Sequence, residues 1–281
     1  MTRRFGIVGG VLCGLAALFA PAPGSADHRH AQFSYAIYSG GFEIFTLDAA
    51  ATIGPTGFTA ESLGRTQGLL DLLLRFVLSA RSEGGVGTAG LAPVRYRTDS
   101  EWRWSQRTMT IDWDDARMPA ARRIPLADPY SEDRTPVPPA MMVGTTDLLT
   151  ALLDRVLAKP GRDPCQGTAP IYDGRRRYDL RFTPLGSEVL APSRHSIFAG
   201  EATKCRLDLI RIAGYKITND QGDLSAEDDT SMVWLGRLGA GEPPVPVRVE
   251  ASNRIGRLIA HVTRARLETD THAIGQAVPV E

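Results

Sequence analysis

The sequence predicts a mainly β fold, an antiparallel sheet or open barrel wrapping two helices at about residues 66–80 and 146–158. Three observations carry this. Several short stretches alternate apolar and polar residues with a period of two. Glycine and proline punctuate the chain between them in the manner of turns. Only two stretches place leucines at helical spacing, and both must bury them.

The elements follow in order. Phe33, Tyr35 and Ile37 fall on one face of a strand, Gly40-Gly41 offers a tight turn, and Phe42 to Leu47 returns, a hairpin. Gly68 to Ala80 reads as a helix that is apolar almost all round, with Asp71 and Arg75 its only charges, so it is expected inside the sheet. Met109, Ile111 and Trp113 share one face of the strand Arg107 to Asp114. Arg117 to Ala140, rich in Pro, Arg and Asp, reads as a long loop. A second helix starts at Thr145 or Thr146 as N-cap, with Asp147 in its first turn. It carries Leu148, Leu149, Leu152, Leu153 and Val156 on one face and stops at Pro160-Gly161.

Beyond it, Asp173-Gly174 signals a turn. From Arg175 to Phe182 the alternation sets Arg176, Tyr178, Leu180 and Phe182 opposite Arg175, Arg177, Asp179 and Arg181. Lys204 to Ile212 sets Cys205, Leu207 and Leu209 opposite Arg206 and Asp208, which suits antiparallel pairing with that strand. A loop is expected at Gly222 to Asp229. Val247 and Val249 point inward from the strand Val245 to Glu250, and Gly256, Leu258, Ala260 and Val262 share one side of a last strand.

The first 26 residues read as a cleavable secretory signal: Arg3 and Arg4, an apolar stretch from Phe5 to Ala20, and small residues ending at Ala26. Leu12 before Cys13 argues against a lipoprotein signal, and a bare Arg3-Arg4 pair against a twin-arginine one. Residues 27–281 then form one β-rich domain, expected in the periplasm of a Gram-negative cell. Cys165 and Cys205 are the thiols left to it, and an oxidising compartment makes a disulfide between them the default; two separate buried thiols are the alternative. The apolar run Leu69 to Leu78 is too short to span a bilayer.

Composition excludes nucleic acid as a partner. Of 32 basic residues, Arg3 and Arg4 leave with the signal, so 30 face 32 acidic ones. Catalytic fingerprints are missing: no Gly-x-Ser-x-Gly, no His-Glu-x-x-His, no phosphate-binding glycine loop and no dinucleotide motif. No enzyme, cofactor or metal is therefore expected. His28 and His30 would hold copper weakly at a new N-terminus, the plainer reading being a disordered leader. Asp112, Asp114 and Asp115, like Glu227, Asp228 and Asp229, read as strand ends and loops before a carboxylate pair or calcium site. His195 and His261 read as structural. Arg175, Arg177 and Arg181 are a candidate contact for an anion or lipid headgroup, against the plainer reading of an ion-paired sheet surface.

A family resemblance rests on spaced residues along the chain. These are Tyr38-x-Gly-Gly41, Arg65-Thr-x-Gly68, Pro93-x-x-Tyr96, Thr146-Asp147-Leu-Leu149, Pro164-Cys165, Tyr172-Asp-Gly-Arg-Arg-Arg-Tyr178, Cys205 and Ala213-Gly214-Tyr215. The pattern resembles the domain-of-unknown-function 3108 family of exported bacterial envelope proteins. The resemblance implies a curved, incompletely closed β-barrel around helices, similar in outline to periplasmic lipoprotein carriers. A second uncharacterised alphaproteobacterial envelope family, with a β-spiral and one disulfide, is an alternative relative. Two functions are open. One is a carrier of an apolar or lipid-like ligand, with Leu69, Leu72, Leu73 and Phe76 facing it. The other is a structural protein with a filled core that contacts an envelope protein or the cell wall.

Overall fold

The computed structural model describes residues 28–125, 134–156, 163–215, 231–253 and 256–270. The stretch 1–26 read as a secretory signal, the acidic group 227–229 and His272 lie outside them.

The first strand, β1 (His28–Ser39), turns through Gly40-Gly41 into β2 (Phe42–Ile53). Both glycines take left-handed backbone angles, φ +57° and +85°, which suits a two-residue hairpin. Then follow β3 (Gly57–Thr66), a short helix α1 (Gly68–Leu74), β4 (Phe76–Gly87), β5 (Gly90–Trp102), β6 (Ser105–Trp113) and β7 (Pro119–Ile124). A 3-10 turn at Pro139–Met141 and helix α2 (Leu148–Val156) lead to β8 (Gly167–Tyr172), β9 (Arg177–Leu190), β10 (Gly200–Ala213), β11 (Ser231–Gly236), β12 (Val245–Asn253) and β13 (Gly256–Asp270).

All thirteen strands join one antiparallel sheet in the order β7-β6-β5-β4-β3-β2-β1-β13-β12-β11-β10-β9-β8. First and last strands thus meet in the middle, and β7 and β8, consecutive in the chain, form its two edges. The chain between those edges covers the seam. Thr146 N donates to Pro170 O at 2.9 Å and Tyr172 N to Thr146 O at 3.0 Å, while Gly144 N donates to Arg117 O at 3.0 Å. The edge of β8 is thereby partnered without a fourteenth strand.

The period-two alternation sorts the two faces as the sequence predicts. Tyr35, Ala60, Ile111, Trp113, Tyr178, Leu180, Phe182, Val247 and Val262 are buried, and cross-strand partners keep the same side, as in Cys205↔Val233 through Val233↔Val249. Helix α2 packs into the core, with Leu149, Leu153 and Val156 among Tyr35, Ile53, Val245 and Val262, and Leu149 also beside Tyr96 and Ile111. Asp147, rather than Thr145 or Thr146, is its N-cap. Its Oδ1 accepts from Thr150 N at 2.9 Å, and its Oδ2 accepts from the Ser82 hydroxyl at 2.8 Å and the Thr150 hydroxyl at 2.6 Å. The strand β4 therefore holds the helix by its first turn. The end expected near residue 158 lies outside the described residues.

The first helix departs from expectation. It ends at Leu74, and Phe76 to Ala80, predicted as its second half, opens β4 instead. Phe76, Val77 and Leu78 are β-branched or aromatic in two cases of three, and pairing with Trp102, Glu101 and Ser100 outweighs helical propensity. The sheet does not wrap α1: Leu69, Leu72 and Leu73 are exposed to 78%, 69% and 68%. Of the two helices among the described residues, only α2 packs into the hydrophobic core.

Candidate functional site

Three walls of a hollow converge where β5–β7 face the turn between β8 and β9. Register fixes which side chains point into it. Tyr96 pairs with Ile111, Thr98 with Met109, Ser100 with Arg107, and Met109 with Arg123. Because Ile111 is fully buried, its face is the inner one, so Arg107 and Arg123 are inward-facing arginines. The opposite wall is the turn Asp173-Gly174-Arg175-Arg176. Asp173 Oδ1 accepts from the backbone N of Arg175 at 3.0 Å and of Arg176 at 2.7 Å. Gly174 has φ +85°, and a Cβ there would lie 2.4 Å from Met109 Sδ. Only glycine lets this turn rest against β6.

Among the described residues, the hollow measures about 430 Å³ and is lined by Tyr96, Thr98, Met109 and five arginines, Arg107, Arg123, Arg134, Arg175 and Arg176, against one carboxylate, Asp173. That carboxylate is already engaged, accepting from Arg176 Nε at 2.8 Å. Arg134 donates to Gly214 O at 3.1 Å, and its buried Nε has no hydrogen-bond partner among the described residues. Burial, and then the neighbouring charges of Arg123, Arg107 and Arg176, hold the Arg175 guanidinium below its ordinary range. Like charges thus crowd one another, and an anion placed among them would relieve that repulsion.

The three arginines singled out from the sequence part company. Arg175 lines the hollow. Arg177 pairs with Asp179 at 2.6 Å and donates to Met141 O at 3.1 Å. Arg181 lies on the outer face 3.4 Å from Asp208. Leu69, Leu72 and Leu73 are outside the interior altogether, and Phe76 is half-buried, its ring 4.3 Å from that of Trp102. Sequence reasoning missed Arg107 and Arg123. The alternation of Met109, Ile111 and Trp113, extended back by two, puts Arg107 on the inner face; Arg123 needed the pairing with Met109.

The other candidates have structural roles. Asp112 accepts from Arg95 and Arg122, each at 2.7 Å, and Asp114 accepts from Met118 N at 2.8 Å in the turn that follows. His28 and His30 belong to β1 rather than to a disordered leader, with His30 Nδ1 3.0 Å from Thr52 Oγ1. His195 packs edge-on to Tyr38, ring centroids 4.7 Å apart. No group of three metal-ligating side chains occurs among the described residues. Cys165 and Cys205 form a disulfide, both sulfurs buried, tying the start of β8 to β10 across β9.

Two further hollows are less suited to a ligand. One of about 180 Å³, almost wholly apolar, lies between α2 and the strands β9–β12 and is small for a ligand site. The other, about 1040 Å³, is broad and open over β1–β5 and β13. Four of its charges are matched in pairs, Arg81 with Glu61 and Arg97 with Asp99.

Fold and hollow together define the class: a mainly β protein built on one unclosed antiparallel sheet, with a cationic cleft where β5–β7 face the β8–β9 turn. The chain belongs to the family described as protein of unknown function DUF3108, whose profile matches residues 34–263. A solved structure similar to it is the beta-barrel-like protein of domain of unknown function DUF1849 from Brucella abortus. That likeness is 8% identical, covers 87% of this chain and 99% of that one, and has a TM-score of 0.45. No curated protein matches.

Proposed function

We propose that the protein is a non-enzymatic envelope protein, exported to the periplasm, that binds a lipid-like or other amphiphilic anion in the cleft at the seam. The observation that carries this reading is the inward-facing guanidinium set of Arg107, Arg123 and Arg175 around a hollow of about 430 Å³, within the range of ligand sites. Tyr96 and Met109 supply an apolar wall beside the charges, as an amphiphile requires. The carboxylate in the cleft is committed to its turn, which leaves binding, rather than proton transfer, as what the walls can do.

Export is supported by the leader-like first 26 residues and by the buried disulfide. The expected test is lipid extraction and native mass spectrometry of protein purified from the periplasm, followed by titration with dihexanoyl phosphatidic acid and with inorganic phosphate. Arg123→Gln combined with Arg175→Gln should weaken binding at least tenfold, with a stronger salt dependence in the parent. No co-extracted lipid and no saturable binding of either probe would overturn the reading. The alternative, a structural protein for envelope integrity, is favoured by one observation: α2 packs into the hydrophobic core and occupies space that a larger apolar ligand would need.

A further inference from the structure

The end of the sheet that carries the cleft also carries an apolar tip. Three connections meet there: the β1–β2 turn, α1, and the β5–β6 turn. Phe42 and Trp104 are exposed to 74% and 88%, alongside the three exposed leucines of α1, the half-exposed Leu74, and Trp102. The tip is held in shape. Thr66 donates its hydroxyl to Asp71 Oδ1 at 2.7 Å, Arg103 donates to Leu72 O at 3.2 Å, and the Phe76 ring bridges Phe45 and Trp102. Hydrophobic side chains displayed together by a fixed scaffold mark a contact surface.

The shape of the tip selects among partners. At 100° per residue, Leu69, Leu72, Leu73 and Leu74 fan out over roughly 200° of the helix. A protein groove would take a single stripe, whereas this fan suits a fluid apolar medium that surrounds it. Trp102 and Trp104 border it with Arg75 and Arg103, and Arg103 lies 5.4 Å over the Trp104 ring. Indoles and long arginines of this kind sit at the boundary between hydrocarbon and headgroups. Behind them, at the same end of the sheet, stand Arg107, Arg123 and Arg175. Their charge complements an anionic surface.

We propose that α1 and the β5–β6 turn dock the protein on anionic lipid bilayers, with the leucines and tryptophans entering the interface. The docking does not depend on whether a ligand occupies the cleft. The test is flotation of the signal-free protein with vesicles of phosphatidylethanolamine containing phosphatidylglycerol, read also by the blue shift of tryptophan fluorescence. The parent should float and shift. A variant carrying Leu72→Ser, Leu73→Ser and Trp104→Ser should lose at least tenfold in vesicle binding, keep its melting temperature because these side chains are exposed, and keep its binding of inorganic phosphate. Variants of Arg123 and Arg175, by contrast, should lose phosphate binding and float with no more than a few-fold weaker affinity, keeping the tryptophan blue shift. A parent that stays with the aqueous phase, a tip variant that floats equally well, or a tip that drives pairing of two copies in sedimentation instead of vesicle binding overturns the proposal.

Discussion

Asp147 is fully buried at the start of α2 and takes three hydrogen bonds from Ser82 and Thr150. Burial raises its carboxyl above the ordinary carboxylate range. The folded chain therefore holds the proton more tightly than the unfolded one. Its contribution favours folding most at pH below the unfolded carboxyl value, and is lost as pH rises through the higher folded value. Asp147→Ala removes the cap and strands two buried hydroxyls, an expected loss of about 2–4 kcal/mol by denaturant melting. Asp147→Asn keeps a cap without the charge, so its stability relative to the parent should improve as pH rises above the ordinary carboxylate range; a gap that stays constant with pH would show an unshifted carboxyl. At this scale the sequence was half legible. It marked the helix start within two residues, but the choice of cap depended on Ser82, which only folding brings near.

The disulfide acts between elements. It joins the segment before β8 to β10 across the intervening β9, and its sulfurs are buried between Val233 and Leu235. Constraining a loop of 40 residues' separation in the unfolded chain is worth about 4 kcal/mol on the chain-entropy argument. Replacing Cys165 or Cys205 by Ser should lower the melting temperature and leave one titratable thiol on the other cysteine; an unchanged melting curve would refute the role. The strands around it were legible because each buries one face and exposes the other. Helix α1 was not. A run of leucines announces burial only when something covers it, and here the chain turns into β4 after seven residues, leaving the run at the tip.

For the whole molecule, topology assigns the roles. Pairing β1 with β13 places β7 and β8 at the edges, and the connection between them carries α2. Leu149 of that helix packs both on the core around Val245 and on Tyr96 beside the arginines. If the chain is exported as its leader suggests, protein recovered from the periplasm should begin at Asp27 and contain no free thiol. An N-terminus that retains residues 1–26, with Cys13, Cys165 and Cys205 all titrating as free thiols, would count against export.

The sequence alone determined the β class, the alternating faces, the second helix, the cysteine pair and the family, because each is written in local periodicity or in spaced residues. Tertiary structure alone decided that Arg107 and Arg123 meet Arg175, that Arg177 and Arg181 do not, and that Leu69, Leu72 and Leu73 face outward. Those residues lie on strands far apart in the chain, and their neighbours are set by sheet order and register, which no local pattern encodes.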